Sequence, residues 1–568
     1  MLRLARTHLS GLFLVAGALA FYIATLSPSL NWGDGGRIQL DIVLGGSNYL
    51  FLPELSGSPL DGWPFARLGV APWDHPLHLL LGQAALAVPI GHPLWRLNLL
   101  SAIAAAAAVG LVFRVLVELG VQPLPAALGG LALAVSHTFW FHAVTTEVLA
   151  LHALFMMSLV LMALRWSESH RPPDLRWFAL FAGLGLANHL MLGLTLLPLV
   201  AYLTLCASPA SSIQPPALSR ARTLVPVALF FFLGLAPWWV QFFRVVRVTG
   251  LGLAVAGVTW FPSAPRTTAV GALLQAAQHL GAYAAYLTYQ FTPLGVALGV
   301  VGFATLARTR RFVAALLGTV WATHVAFSAG FSVTDRYAFH LPSYVIFALF
   351  VGIGAQATLE GAATLNTMLL RRRVLRIAGL VLAVVVAPIV LYAETPRVLR
   401  AWGVTDADFG IPDVGFGARD GLAYFLNPDK RGDQSAVRFG RSTLSQLAPG
   451  AVVLAPEPFL EVGMVLRYLQ RADGSRPDVY VDPIVFAPRA QLAAAELSKA
   501  RALGVCRPVY LAALPADAEQ RATLRADFRV TSEANLLRLV PRHPLAAAQC
   551  PASYEPLSLR AAVRSALR

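Results

Sequence analysis

Long apolar stretches separated by short, arginine-bearing connections fill the first two-thirds of the chain. Runs of bilayer-crossing length recur near residues 9–28, 96–118, 123–139, 147–165, 177–206, 223–243, 291–307, 312–330, 341–359 and 375–394, each sufficient for about 30 Å of hydrocarbon. The run at 177–206, WFALFAGLGLANHLMLGLTLLPLVAYLTLC, is too long for one helix and has glycines and the pair Asn188-His189 at its centre. It is expected as two short spans meeting in a protein-lined turn, where neighbouring groups can satisfy the interrupted backbone. The pattern therefore predicts eleven membrane helices. PLHLLLGQAALAVPI is too short to cross and reads as a helix lying in the interface. TAVGALLQAAQHLGAYAAYLTYQ, residues 268–290, is polar enough for a second interfacial helix, and its tyrosines suit that depth. After residue 394 the period changes. Short apolar runs (GAVVLAP, DVYVDPIVF, RPVYLAAL) alternate with amphipathic stretches (FLEVGMVLRYLQ, AQLAAAELSKARALG, AEQRATLRA), the pattern of a small α/β domain. Two domains are expected, 1–394 in the membrane and 395–568 outside it, the second without a GxGxxG nucleotide motif.

Composition agrees with this layout. At 57% hydrophobic and 13% charged residues the chain is an integral membrane protein. Its net charge of +15 is almost all arginine, since Lys430 and Lys499 are its lysines. No basic face interleaved with base-stacking aromatics accompanies that charge, so nucleic acid is not an expected partner. The arginines flank spans instead. With the N-terminus inside, Arg3 and Arg6, Arg308, Arg310 and Arg311, and Arg371, Arg372, Arg373 and Arg376 all fall on the cytoplasmic side, as the positive-inside rule requires. The tail from residue 395 then faces outward. The first segment has a basic start and a small-x-small triplet like a signal peptide, but its apolar run continues through FYIATL, and it is read as an uncleaved first helix. Cys206, Cys506 and Cys550 are too scattered for a zinc site; a Cys506–Cys550 bridge in an exported tail is left open.

The candidate chemistry gathers on the outer side. NWGDGGRIQLD, residues 31–41, places Asp34 among Gly33, Gly35 and Gly36 directly after the first span. It is either a turn that caps a helix or a catalytic carboxylate at the membrane face. Arg37, three residues on, suits a phosphate or a simple ion pair with Asp34 or Asp41. APWDHPLHL supplies Asp74, His75 and His78, whose spacing matches no standard metal-ligand set. Arg96 opens the second span as an interfacial anchor or a lipid-phosphate contact. Glu147 opens the fourth, where a carboxylate favours the helix dipole and where an ionisable group is also a functional candidate. Asn188-His189 either satisfies freed backbone groups or lines a cavity. Asp335, Arg336, Tyr337 and His340 stand at a later outer helix mouth.

Taken in order, LSPSLNWGDGGRIQL, HPLHLLLGQ, WRLNLLSA, SHTFWFHAVTTEVLALHAL, GLGLANHL and DRYAFHLPSY resemble the motifs of a large bacterial family of membrane proteins. Its eukaryotic relative is the endoplasmic-reticulum transmembrane O-mannosyltransferase that acts on plexin-type receptors. The likeness covers about residues 10–395, and LNPDKRGDQSA and GSRPDVYVD extend it into the tail. It implies a polytopic α-helical GT-C glycosyltransferase fold and a polyprenyl-phosphate sugar donor used outside the cytoplasmic membrane. On the matching positions it makes Asp34 the catalytic base and Glu147 a second acid. Arg37, Asp74, His75, Arg96, Asn188, His189, Asp335 and Tyr337 are expected around the substrates, with Arg244, Arg247 and Arg266 as further phosphate-clamp candidates. Transfer by single displacement to a hydroxyl requires a base for the acceptor and positive charge for the leaving phosphate. The chain departs from the usual Trp-Gly-Asp-Ser-Gly-Glu by carrying Gly35 and Arg37 at the Ser and Glu positions, and WDHPLHL replaces a His-Pro-Pro-Gly-Tyr-Pro pattern. One carboxylate is thereby lost. The rivals are a lipid-linked substrate transporter or flippase, for which neither internal repeats nor mid-helix acids are visible, and a non-catalytic envelope scaffold. The sugar, the acceptor (protein, lipid or glycan) and the use of a divalent cation stay open.

Overall fold

The computed structural model describes residues 2–43, 75–207, 217–249, 251, 255, 269–330, 336–360, 369–455, 460–483, 507–514 and 518–542. The amphiphilic order of the sequence becomes α1 (Leu2–Thr25), a short α2 (Gly33–Val43), α3 (Pro76–Ala87), α4 (Pro93–Glu118), the pair α5 (Pro123–Ala134) and α6 (His137–Val144), and α7 (Val148–Ser169). There follow α8 (Pro172–Asn188), α9 (Leu192–Ala207), the pair α10 (Ala217–Gly234) and α11 (Ala236–Thr249), α12 (Ala269–Thr309), α13 (Arg311–Gly330), α14 (Arg336–Phe339) and α15 (Leu341–Glu360). α16 (Leu369–Val381) then continues through a π-helical turn, Leu382–Val386, into α17 (Ala387–Ala401).

Among the described residues seven helices are long and apolar enough to cross a membrane, and two bent pairs raise this to nine. That is fewer than the eleven the apolar pattern predicts. α8 and α9, with 17 and 16 residues, are each shorter than a standard span; their break at residues 189–191 is the turn expected within the 177–206 run. The predicted single spans at 123–139 and 223–243 are both bent, by 67° and 54°. The stretch at 268–290 is helical from Ala269 and parts from the next span where the backbone leaves the helical region at Thr292 (φ 61, ψ 163), immediately before Pro293. There the Thr292 hydroxyl donates to the Ala383 carbonyl in the π turn at 3.1 Å, so two backbone irregularities meet side by side.

Small residues let the bundle close. A Cβ on Gly302 or Gly354 would overlap the backbone of the facing helix, α15 or α12, a close approach that membrane helices use where no hydrophobic effect drives packing. Large apolar side chains such as Leu12, Leu197, Leu229, Val300 and Val390 are exposed on the outside of the bundle, as a lipid-facing surface requires.

Beyond the bundle lie helices α18 (Gly421–Leu426), α19 (Ser435–Gln446), α20 (Leu460–Ala472) and α21 (Ala518–Asp527) and a five-stranded sheet. The sheet order is β2-β1-β3-β5-β4, with β1 (Val452–Ala455), β2 (Tyr480–Pro483) and β3 (Val509–Leu511) parallel and β4 (Phe528–Glu533) and β5 (Leu536–Pro541) forming an antiparallel hairpin. Every residue of central β1 is buried, which explains its unbroken apolar run. Ala534 and Asn535, both at positive φ, make the two-residue hairpin turn. The expected domain boundary at 394/395 falls inside α17. The sheet domain docks on the bundle through backbone and side-chain bonds: Lys430 N–H to Thr25 O at 3.0 Å, Ser29 Oγ to Asp433 O at 3.0 Å, and Tyr289 Oη to Leu426 O at 3.0 Å. AQLAAAELSKARALG, Cys506 and Cys550 lie outside the described residues.

Candidate active site

The site is built where the chain leaves α1 and turns into α2. Gly33 has φ +67, a left-handed conformation that costs glycine nothing, and it aims the chain so that Asp34 stands in the first turn of α2. The Asp34 side chain is 60% exposed, whereas Trp32, Gln39 and Asp41 around it are buried. A Cβ on Gly36 would overlap the Asn31 carbonyl, and one on Gly35 would come within 3.1 Å of Thr146 O. The glycines therefore let α2 press against the turn that precedes α7.

A buried amide network fixes that contact. Gln39 accepts from Asn31 N–H at 2.9 Å and donates to Asn98 Oδ1 at 3.0 Å and Thr146 Oγ1 at 3.1 Å. Thr146 Oγ1 donates to Asn98 Oδ1 at 2.6 Å, and its backbone N–H donates to Asn31 Oδ1 at 3.0 Å. Asn98 Nδ2 reaches back to Ser27 O at 2.8 Å. Four elements distant in sequence are thus locked behind Asp34. Asn98, a polar residue two positions after Arg96 in a largely apolar span, is a signal that could have found this network; Gln39 and Asn31 carry none.

Glu147 is the extended N-cap residue of α7, yet its side chain makes no capping bond. Its backbone is held by Ser101 (N–H to Oγ 3.1 Å; Oγ–H to carbonyl 3.2 Å). Its carboxylate lies 3.7 Å from Nδ1 of the buried His142, whose ring nitrogens have no hydrogen-bond partner. Asn188 donates to Val148 O at 3.1 Å, and His75 Nδ1 meets Asn188 O at 2.7 Å. His75 stacks on His189 with centroids 5.0 Å apart, and His152 follows at 5.6 Å from His189. Glu147, Asn188, His75 and His189 therefore form one neighbourhood, adjoining Asp34 through Thr146.

Arg37 takes the ion-pair alternative of its two readings, and Arg96 is bonded to backbone carbonyls. Arg37 pairs with Asp34 (Nε to Oδ1, 3.2 Å) and more loosely with Asp41 (3.8 Å). Arg96 turns toward the C-terminus of α3, donating to Leu86 O at 2.8 Å and also to Val88 O; it closes the tight connection between α3 and α4. Tyr337 is half-buried in α14, which joins the end of α13 through the Ser328 Oγ to Phe339 O bond at 2.8 Å. Asp74, Arg266 and Asp335 and the side chain of Arg244 lie outside the described residues. Among the described residues no three His, Cys, Asp or Glu side chains converge as metal ligands.

The sheet domain supplies a wall that the sequence did not announce. Trp32 N–H donates to Tyr424 Oη at 3.2 Å and its indole to Ser435 Oγ at 2.8 Å. Arg419, buried, lies over the Trp32 ring at 5.5 Å and donates to Glu461 Oε2 at 2.6 Å. Burial pushes the Glu461 carboxyl above its ordinary value, opposed by Arg419. Lys430 is buried against Phe141 and Tyr424, and its ammonium donates to Tyr424 O at 2.6 Å. Burial lowers it to about 7, with Asp433 and Asp429 acting the other way.

The bundle and its capping domain superimpose on ArnT from Cupriavidus metallidurans in the apo state, with TM-score 0.54 and 15% identity over 93% of this chain and 97% of that one. The form of ArnT bound to undecaprenyl phosphate gives 0.52 and 14% over the same shares. At such identity the likeness establishes the fold. Residues 66–212, the segment that carries His75, Arg96, Glu147, Asn188 and His189, match the model of the protein O-mannosyl-transferase TMEM260 N-terminal domain. No curated protein matches the chain. Fold and family model together define a multi-pass membrane glycosyltransferase of the GT-C type. Within that class the chain is a relative of the TMEM260 family.

Proposed function

We propose that the protein moves a sugar from a polyprenyl-phosphate donor to an acceptor hydroxyl at the outer face of a bacterial cytoplasmic membrane, with Asp34 as the base. One observation carries this reading: a solvent-open carboxylate stands on a turn fixed from behind by the buried, hydrogen-bonded Asn31 and Gln39, at the end of a membrane bundle. In a single displacement the acceptor O–H proton passes to Asp34 as the oxygen bonds to the anomeric carbon. The bond from that carbon to the phosphate oxygen breaks, and polyprenyl phosphate leaves with the electron pair. A phosphate arriving beside α2 competes with Asp34 for Arg37, so the guanidinium can turn to the leaving group and release the carboxylate. Glu147, with His142 at its back, orients the acceptor from the other wall, near His75, Asn188 and His189. The ArnT form solved with undecaprenyl phosphate supports a lipid-phosphate donor, and the O-mannosyl-transferase family model supports a hexose and a hydroxyl acceptor. The arginine bias supports an N-terminus inside and a sheet domain outside.

The test compares envelope glycolipids and glycoproteins by mass spectrometry in wild-type, Asp34→Asn and deletion cells at equal protein level. Loss of the same sugar-bearing species in the variant and the deletion is expected, and it names the product. The Asp34–Arg37 pair favours a second reading, a non-catalytic scaffold. That reading gains if Asp34→Asn matches wild type while the deletion differs.

A further inference from the structure

Between the end of α17 and the start of α18 the chain carries three aromatic-glycine pairs at a spacing of seven residues: Trp402-Gly403, Phe409-Gly410 and Phe416-Gly417. All three glycines have positive φ, so each aromatic stands where the chain turns. The rings are exposed, by 76% for Trp402 and 52% for each phenylalanine. The acids of the segment are bonded within it. Asp406 accepts from the Gly421 and Leu422 N–H groups at 2.9 and 3.1 Å, Asp408 from Thr405 N–H at 2.7 Å, Asp413 from Gly417 N–H at 2.8 Å and Asp420 from Ala423 N–H at 3.0 Å. Arg400, in the last turn of α17, pairs with Asp406 at 2.6 Å and with Asp420 at 2.7 Å, and Val404 N–H donates to Leu399 O at 3.0 Å. The segment is therefore a compact knot tied to the end of the last span. Its inner side packs on the wall of the candidate site: Val414 is buried, and Arg419 donates to Pro412 O at 3.1 Å while lying over the Trp32 ring.

Single exposed apolar residues are ordinary, but three rings displayed at the turns of one knot call for a partner. Position chooses it. Leu382, Val386, Val390 and Val398 are exposed along the last span at multiples of four residues, and Trp402 is next in that row. The span Val374–Ala401 has 28 residues, about 42 Å of helix, which matches a bilayer with its headgroup layers at roughly 40–45 Å. Its end, with the exposed Glu394–Arg397 pair, thus reaches the headgroup layer, the depth that tryptophan favours. We infer that residues 402–417 form a foot that sets Trp402, Phe409 and Phe416 into the headgroup layer on the sheet-domain side, with membrane lipid as the partner. The foot seats the sheet domain, and with it the groups around Trp32, at a fixed height over the bundle. This holds whatever reaction the site performs.

The experiment uses the full chain in phosphatidylcholine vesicles, with and without lipid brominated high on its acyl chains. The chain has 12 tryptophans, so Trp402 is read as the fluorescence difference between wild type and Trp402→Phe. That difference is expected to lose most of its intensity to bromine and to be shielded from acrylamide in the water. Trp402→Phe combined with Phe409→Trp, or with Phe416→Trp, moves the reporter to the other two turns, where the same quenching is expected. Each exchange swaps one exposed ring for another, so folding is not at stake. A Trp402 signal indifferent to bromine and as open to acrylamide as free tryptophan overturns the inference; the rings then face a ligand from the water side, such as a glycan or a peptide. Quenching by bromine at 402 but at neither 409 nor 416 overturns it too, because Trp402 is then an ordinary interfacial residue at a helix end and there is no foot.

Discussion

Replacing Gln39 by leucine tests the buried network behind Asp34. Leucine matches glutamine in length and is apolar, so the change leaves little cavity and isolates the hydrogen bonds. The Gln39 side chain is fully buried and makes bonds of 2.9, 3.0 and 3.1 Å, with a longer fourth to Ser29 O at 3.5 Å. Its loss orphans the Asn31 N–H completely, at about 1–3 kcal/mol for a buried donor without a partner. Asn98 Oδ1 keeps its bond from Thr146, so the other two losses are each about 1 kcal/mol. The total is roughly 3–5 kcal/mol, carried by a contact that joins α2 to α4 and the turn before α7. Denaturant unfolding of the purified protein in detergent reads the stability, and product analysis in cells reads the consequence at Asp34. Asn98→Leu removes an overlapping set of bonds, so the double variant should cost clearly less than the sum of the single ones. Full stability of Gln39→Leu, or strict additivity with Asn98→Leu, would refute the claim that these amides act as one unit.

Two further outcomes follow from neighbouring features. Gly36→Ala forces a Cβ onto the Asn31 carbonyl, and because the obstacle is backbone it should destabilise by about 1–3 kcal/mol and reduce sugar transfer; a thermal unfolding curve equal to wild type would contradict the close approach. Lys430, lowered to about 7 by burial, binds its proton less tightly folded than unfolded. Stability should therefore rise with pH between about 7 and 10.5, at a slope of at most about 1.4 kcal/mol per unit. Lys430→Met should remove that part of the rise, and parallel unfolding-versus-pH curves for the two proteins would dismiss it.

The membrane character, the α/β tail and the carboxylates at helix starts were legible because each leaves a local trace: an apolar run of bilayer length, a change of period, an acid beside glycines. The break at Asn188-His189 was legible for the same reason. The bends at residues 135–136 and 235 were not, since apolar content alone does not distinguish a straight span from a folded one. Arg96 shows a different limit. At the head of a span it reads as an interfacial anchor or a phosphate contact, but the short connection from Val88 to His92 brings the last carbonyls of α3 within its reach. Glu461 shows the hardest case, because its partner Arg419, 2.6 Å away, lies over the Trp32 ring, and no pattern in FLEVGMVLRYLQ points to residues that far away in the chain.

The meeting of Thr292 with the π turn at Leu382–Val386 sets a rule for how this bundle can change. Each irregularity alone would expose backbone polarity to hydrocarbon; together, a hydroxyl from one answers a carbonyl of the other. Straightening one helix, for example by restoring an ordinary helical residue at Thr292, strands the Ala383 carbonyl on its neighbour. The two sites are thus expected to be repaired or lost jointly, and a substitution harmful at either should be rescued by a second across the interface sooner than by any change within its own helix.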